Sequence, residues 1–336
     1  MATQNKTSRS KVILGYIAFG VVALIACFLL TFPYGTLRAR IATEGLKAGY
    51  VVRIDTMRPG LIGLTAKNVR ISQPPEPLSP DTRAALVSGD PDDAKIFGPA
   101  ELGEALVVDS VFLRPTLFPP GVAFRAELLG GEARGSVGGL KNTTVQIRLE
   151  NLDPSKGNLK NFTGLDLEGR LSGSLVLTMP PAAAGAGIKA GEPDLSQADG
   201  ELALDGNLQL KGSVAGTGVT SEGLVAAAFP GGLPAIPLGD VQGLIRFEKG
   251  LGKVETFLTK SDQVEIRASG TLRLKQRLQY IEPAVDVKLR VEPELTKNLG
   301  PAGLGLAILP ADKDDNRFRA ATLSSSMGKL AFKPKK

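Results

Sequence analysis

The residues that could do catalytic chemistry are few in this chain. It contains no histidine, and Cys27 is the one cysteine among its 336 residues. Histidine-activated serine or cysteine nucleophiles, histidine-ligated metal sites, thiolate clusters and a disulfide within the chain are therefore excluded. A hydrolase that uses two carboxylates needs no histidine, but no feature of the sequence points to one. We predict that the protein is not an enzyme and that it holds no metal and no cofactor.

Two short motifs resemble functional sites without completing them. Ser326 and Lys329 match S-x-x-K, the acylation motif of penicillin-binding enzymes, but the companion S-D-N and K-T-G motifs are absent from the sequence. The segment that begins at Asp312 resembles the opening of a calcium loop. Arg317 and Leu323 stand where that loop needs glycine and glutamate. We interpret the segment as a solvated turn, with a weak ion site as the alternative.

A glycine pattern also occurs outside the context that would make it functional. Residues 185–190 fit G-x-G-x-x-A, which in dinucleotide-binding proteins lies between a strand and a helix. Here Pro180 and Pro181 precede the pattern and Pro193 follows it, so neither element is expected. A P-loop motif is absent from the sequence. We predict no nucleotide site.

The most distinctive stretch is apolar rather than reactive. Residues 12–32 form a run of 21 residues without a charge. A helix of that length rises about 30 Å, which matches the hydrocarbon core of a bilayer. We predict a transmembrane helix over 12–32. Its predicted anchoring residues are Val12, Ile13, Leu14, Val21, Val22, Leu24, Ile25, Phe28, Leu29, Leu30 and Phe32.

The residues that flank this run indicate its orientation. Residues 1–11 carry Lys6, Arg9 and Lys11 and no acidic residue, so they are predicted to be cytoplasmic. The predicted membrane-interface residues are Lys11, Tyr34, Arg38 and Arg40. An alternative is that Leu24–Cys27 acts as a lipobox, with lipidation of Cys27. The apolar residues that follow Cys27 favour an uncleaved anchor.

Beyond the anchor the hydrophobic period changes. Residues 33–49 repeat apolar residues near helical spacing and predict an amphipathic helix or linker that ends at Gly49. Residues 50–336 then read as one strand-rich domain, because alternation begins at Val51–Asp55 and Leu64–Ser72. The proline- and aspartate-rich residues 73–104 predict a long surface loop, with one helical turn near Ala84–Val87.

Many further segments alternate apolar and polar residues. We predict strands at 105–113, 122–129, 143–149, 165–179, 202–210, 241–247, 254–259, 264–274, 285–291, 318–323 and 329–332, with a hairpin turn at Gly130–Gly131. Residues 180–200 are predicted to form a loop. The fold is therefore predicted to be mainly β: a transmembrane helix followed by an elongated antiparallel sheet, as a folded-over sheet, a sandwich or an open barrel, with few short helices.

One-sided strands leave an apolar face that must be covered. The leucines at 165, 167, 171, 175 and 177 fall on one face of their strand, as do those at 202, 204, 208 and 210. Alternation alone allows either a sealed core or a groove of lipid size. The net charge of +6 is spread along strand-like segments without aromatic clustering. It therefore indicates a solvated basic surface rather than a nucleic-acid site.

The layout resembles a known family. An apolar anchor runs into FPYGTLRARI at Phe32–Ile41, and the strand pair YVVRID and GLTAKNVRIS follows, then LLGGEARGSV and G-x-L-x-L strands. These features resemble the type II secretion system protein N family and, more loosely, AsmA-like and lipopolysaccharide-transport-like periplasmic proteins. The best matching motif is FPY-x-x-L-(K/R)-x-(K/R)-I. The family brings no catalytic residues.

The resemblance implies a location and a role. It implies a single-pass bacterial inner-membrane protein, with its amino terminus in the cytoplasm and residues 50–336 in the periplasm. The body would be a scaffold or adaptor of the type II secretion system that contacts other secretion subunits. The alternative is an AsmA-like role, in which the periplasmic domain binds or transfers lipid for outer-membrane homeostasis.

Overall fold

The described part of the chain is largely a single antiparallel sheet. A computed structural model of the protein describes residues 19–20, 23, 33–60, 62–74, 77–88, 92–159, 165–183, 191–213, 235–276, 281–298, 309–326 and 329–334. Its strands join in the order β1 to β14, so each pairs with its neighbours in the chain. This architecture confirms the prediction of a mainly β protein with few short helices. The strands form one continuous sheet, not the two sheets of a sandwich.

The strands vary in length but follow one another as a meander. The first seven are β1 Val51–Gly60, β2 Gly63–Ser72, β3 Ala105–Leu117, β4 Pro120–Leu128, β5 Gly131–Gly138, β6 Thr143–Leu152 and β7 Leu165–Met179. The second seven are β8 Asp199–Ser213, β9 Ile236–Glu248, β10 Leu251–Lys260, β11 Val264–Arg273, β12 Glu282–Val291, β13 Arg319–Ser326 and β14 Lys329–Pro334. Each predicted strand corresponds to one of these, with the ends shifted by a few residues.

Tight turns fix the hairpins at both ends of the sheet. Leu129 and Gly130 have positive φ angles of 51° and 67° and connect β4 to β5, and Lys249 and Gly250 do the same between β9 and β10. Two successive positive φ values match the twist of the flanking strands. The predicted turn at Gly130–Gly131 is therefore displaced by one residue, because Gly131 already pairs with Leu128.

The helices are short and lie mainly before β3. They are α1 Tyr34–Lys47, α2 Pro80–Val87, α3 Pro99–Leu102 and α4 Pro293–Asn298, with 3₁₀ turns at Asp93–Ile96 and Leu195–Gln197. Helix α1 lies within residues 33–49, the segment predicted to be an amphipathic helix or linker. The prediction of a long surface loop over residues 73–104 was wrong in part. Leu86 of α2 and Leu102 of α3 are buried with Val51, so these segments belong to the core. A proline in the first turn is compatible with a helix, and Ser79 caps α2 by accepting a hydrogen bond from the Thr82 amide at 3.1 Å.

The predicted transmembrane helix lies almost entirely outside the described residues. Within 12–32 only Phe19, Gly20 and Ala23 are described, and all three are helical. The cytoplasmic residues 1–11, the eleven predicted anchoring residues and Cys27 lie outside the described part. Among the described residues, no helix is long and apolar enough to cross a membrane.

Candidate functional site: an apolar face along the sheet

One row of directly paired residues crosses the whole sheet without a polar member. Successive partners in this row, here called the apolar row, are Pro59, Leu64, Leu113, Phe124, Gly135, Ile147, Leu175, Leu202, Ile245, Val254, Gly270, Val285, Leu323 and Phe332. Directly opposite residues of antiparallel strands share a face. At about 4.8 Å per strand spacing, the row extends roughly 60 Å.

Neighbouring rows on the same face are also apolar. The row Val145, Leu177, Gly200, Phe247 and Gly252 lies on one side of the apolar row. On the other side, Leu149, Gly173, Leu204 and Gly243 form a parallel row. The predicted grouping of the β7 and β8 leucines on one face is confirmed for 167, 171, 175 and 177 and for 202, 204, 208 and 210. These residues pair with one another, with other apolar residues or with glycine. Leu165 pairs with Ser213 instead.

The opposite face of the sheet is polar and charged. Arg246 of β9 contacts Glu201 of β8 at 3.3 Å and Glu255 of β10 at 3.2 Å. On β4 and β5, Arg134 and Arg125 both bond Glu132, and these bonds hold the pKa of Glu132 below its usual value. Such pairs contribute little stability at an exposed surface. Their arrangement identifies this face of the sheet as the solvent-exposed one.

The apolar face is sealed in two places. Near β1–β5 a buried cluster forms around Ile54, Met57 and Val69, and Leu37 and Ile41 of α1 pack on it. A second buried cluster consists of Leu177, Met179, Ala198, Phe247 and Leu274. Both clusters exclude water from part of the face, as a protein core does.

Outside these two clusters, several apolar side chains of β6–β8 are only half-buried. Ile147, Leu171 and Leu204 are in this state, and so are Leu208 and Leu210 on β8. A closed core buries leucine and isoleucine almost completely. This stretch of the face, over the middle strands β6–β8, therefore leaves apolar surface for another apolar molecule.

Glycines in the face make room for aromatic rings. A Cβ atom at Gly135 would lie 2.6 Å from the Phe124 ring, and a Cβ atom at Gly252 would lie 2.6 Å from the Phe247 ring. Each ring therefore lies across the glycine of the next strand, and it replaces the side chain that the glycine lacks. A shallow depression of about 350 Å³ also lies over β6–β8, but most of its lining residues belong to the polar face: Arg148, Glu150, Ser172, Ser174, Ala203 and Asp205.

Helix α1 brings three of the predicted interface residues to the edge of this face. Tyr34 packs against the β1–β5 cluster, which gives it an apolar contact within the protein. Arg40 is exposed and contacts Glu44 one turn later at 3.3 Å. Arg38 is half-buried, and its Nε atom is buried without a hydrogen-bond partner. Lys11 lies outside the described residues.

The S-x-x-K motif and the segment that begins at Asp312 make structural contacts. Ser326 and Lys329 pair with each other at the ends of β13 and β14, so the S-x-x-K motif is a hairpin. Asp312 accepts a hydrogen bond from Lys288 Nζ at 2.7 Å, and this bond lowers the pKa of Asp312. Among the described residues, no group of three or more acidic side chains is placed to hold a metal ion. Residues 185–190 lie outside the described part.

Sequence reasoning missed the alignment of the apolar residues across the sheet. Alternation within each strand placed the leucines of β7 and β8 correctly. The contribution of Phe124 and Gly135 was not predicted, because a glycine within an alternating strand gives no hydrophobic signal. Pairing of large aromatic residues with glycines in the next hairpin strand, as in Phe124–Gly135, is the pattern that could have indicated it.

Comparison with family models, curated proteins and solved structures finds no match to this chain. The resemblance to the type II secretion system protein N family therefore stays a prediction that rests on the motifs quoted above.

Proposed function

We propose that the protein binds the acyl chains of phospholipids along the apolar face of its sheet. The observation that carries this proposal is the apolar row, which runs through all fourteen strands without a polar residue. Acyl chains bind by non-directional burial of apolar surface, and they need a long apolar strip rather than a few placed polar groups. This proposal develops the AsmA-like alternative from the sequence.

The burial pattern supports a lipid rather than a core alone. A sealed core gains its full stability only when its leucines are buried, yet Leu204, Leu208 and Leu210 are half-buried. An acyl chain lying on these residues would remove their remaining surface from water. The opposite face carries ion pairs, so a lipid would occupy one side of the sheet only.

The predicted anchor would locate lipid binding at a membrane. In our proposal residues 12–32 hold the protein in the bacterial inner membrane, with the amino terminus in the cytoplasm and the sheet in the periplasm. A sheet that receives lipid from a bilayer gains from being tethered to it, because the tether raises the local concentration of its source.

A pair of adjacent substitutions tests the proposal. Leu208 is half-buried on the apolar face, whereas its neighbour Gln209 is exposed on the polar face. Leu208→Glu should abolish lipid binding, because a carboxylate would have to be desolvated beside an acyl chain. Gln209→Glu adds the same charge to the other face and should leave binding intact. The measurement is the amount of phospholipid retained per mole of purified full-length protein, by mass spectrometry of the extracted lipid.

The two variants also define the result that would contradict the proposal. Equal lipid retention by wild type, Leu208→Glu and Gln209→Glu would show that the retained lipid does not lie on this face. Circular dichroism on both variants verifies that the β-sheet signal is unchanged, so that a loss of lipid is not a loss of fold.

The second candidate function is the scaffold role in type II secretion. It is favoured by the edge of the sheet at β14, which pairs only with β13 among the described strands. An edge strand offers unpaired backbone groups that a partner can extend by strand addition. A photo-crosslinking residue at Lys333 should then capture a secretin or platform subunit in cells. If no secretion subunit is captured while the wild type still binds lipid, the scaffold role is contradicted and lipid binding is the function that is supported.

A further inference from the structure

Three neighbouring hairpins end in exposed apolar side chains. The β1–β2 tip carries Ile62, which is 68% exposed, and the β5–β6 tip carries Leu140, which is 87% exposed. Between them the β3–β4 tip carries Leu117 at 79% and Phe118 at 95%. Large apolar side chains this exposed cost free energy in water when they gather in one place, so such a group marks an interaction site.

The topology gathers these tips at one end of the sheet. The hairpins β1–β2, β3–β4 and β5–β6 are consecutive in the sheet, and all three turn at the same end. Neighbouring tips at this end are two strand spacings apart, which is about 10 Å. Just behind the tips, Val122 and Val137 of the apolar face are paired with each other and also exposed. Together they form one apolar margin, here called the tip surface.

The charges on the tip surface are all of one sign. Arg58, Arg114 and Lys141 are exposed on the three tips. The tip segments 58–63, 113–120 and 138–143 contain no aspartate or glutamate. The opposite end of the same strands carries acidic loops, which include Asp153 and Glu104. Apolar side chains flanked by basic ones match the interface of a bilayer that contains anionic lipids.

The start of helix α1 lies toward this same end. A three-residue turn over 48–50 connects α1 to β1, and the two elements are in contact, so α1 folds back along the strand. Tyr34, at the start of α1, packs on the cluster that contains Met57 in the second half of β1. The chain therefore enters α1 from the side of the sheet where the tips lie.

We infer that the tip surface inserts its apolar side chains into the interfacial layer of an anionic phospholipid bilayer. This contact would stand the sheet with one end of its apolar face at the membrane. The inference rests on the tips and their charges, and it holds whether or not the middle of the face binds acyl chains.

Depth-dependent quenching tests the inference on the full chain. In a Cys27→Ser background, single cysteines replace Phe118, Leu140 or, as the control, Asp262, which is exposed in the turn between β10 and β11 at the other end of the sheet. Each variant is labelled with an environment-sensitive fluorophore and reconstituted into vesicles of phosphatidylethanolamine and phosphatidylglycerol. The vesicles contain lipids with a nitroxide on the upper acyl chain, and iodide serves as the aqueous quencher.

The expected result differs between the two ends of the sheet. Labels at 118 and 140 should shift their emission to the blue, be quenched by the nitroxide and be protected from iodide, whereas the label at 262 should show the reverse. Replacing phosphatidylglycerol by phosphatidylcholine should weaken the effect at the tips. When Ile62→Ser and Leu140→Ser are added to the variant labelled at 118, the blue shift and the nitroxide quenching of that label should disappear.

Iodide-accessible, unquenched labels at 118 and 140 would overturn the inference, including the case in which the tips bind a protein instead. The lipid retention of wild type and Leu208→Glu reports on the apolar face separately. A failure of the tips is thus distinguished from a failure of acyl-chain binding.

Discussion

At the residue scale, single glycines decide how the apolar face is filled. Phe247 is buried and belongs to the second cluster, and its ring lies where the side chain of residue 252 would stand. The nearest atoms to a Cβ at Gly252 belong to side chains, at 2.6 to 3.1 Å. A larger residue there does not break the backbone, but it must displace the ring.

Gly252→Val is therefore expected to destabilise the sheet by about 1–2 kcal/mol through overpacking around Phe247. The control is Lys253→Val, which changes an exposed residue on the other face and should alter stability by less than ~0.5 kcal/mol. The measurement is the urea midpoint of each variant. Equal midpoints for wild type and Gly252→Val would mean that Phe247 does not occupy this space.

A second residue-scale prediction concerns acid stability. The side chain of Asp312 is 8% exposed and receives a hydrogen bond from Lys288, which holds the pKa of Asp312 below its ordinary 3.8. A carboxyl whose pKa is lowered by folding adds stability above its unfolded pKa, and this stability is lost as pH falls through the folded value. Lys288→Met removes the partner, so the pKa of Asp312 rises and acid unfolding should begin at a higher pH.

The measurement for this pair is the thermal midpoint from pH 7 down to pH 2. Lys253→Met provides the control, because it removes an exposed lysine from the polar face of β10. Only Lys288→Met should lose its stability earlier than the wild type as the pH falls below about 5. Identical pH profiles of the two variants would show that the pair does not contribute.

At the element scale, α1 closes the first edge of the apolar face. Its Tyr34, Leu37 and Ile41 pack on the β1–β5 cluster, while Leu46 reaches the cluster of Val51, Leu86 and Leu102. The helix therefore joins two separate apolar clusters beside β1.

Ile41→Ala should loosen this helix. Removing part of a half-buried isoleucine is expected to cost about 1–2 kcal/mol, below the 2–5 kcal/mol of a fully buried site. Arg40→Ala is the control, because it removes only a surface ion pair with Glu44 and should cost under ~0.5 kcal/mol. Hydrogen exchange of the α1 and β1 amides should accelerate in Ile41→Ala alone. Unchanged protection of α1 would contradict the packing described.

The elements also show which local patterns predict structure and which do not. Alternation in Leu202–Leu210 predicted a strand and its apolar face, because the period of two follows directly from strand geometry. Pro80 and Pro99 favoured the prediction of a loop, yet both begin helices. At the first position of a helix the backbone N–H has no partner within the helix, so a proline there loses no hydrogen bond. Composition alone does not distinguish these two roles of proline.

At the scale of the whole molecule, fourteen strands act as one surface. The mainly β fold was predictable, but the apolar row was not, since register across a sheet depends on turns and bulges such as that between Leu149 and Leu152. A slip of one residue at any hairpin would move every later side chain to the other face. The row is thus a property of the whole sheet, and it is the feature on which the proposed acyl-chain binding depends.

The most direct measurement is a photo-crosslinking scan along β8. A benzophenone amino acid is placed in the full chain at each position from Glu201 to Leu210 in turn, in vesicles that contain phospholipid, and lipid adducts are detected by mass spectrometry. Adducts should appear at 202, 204, 206, 208 and 210, whose residues face the apolar side, and be absent at 201, 203, 205, 207 and 209. Adducts at both sets alike, or at neither, would contradict acyl-chain binding on the apolar face.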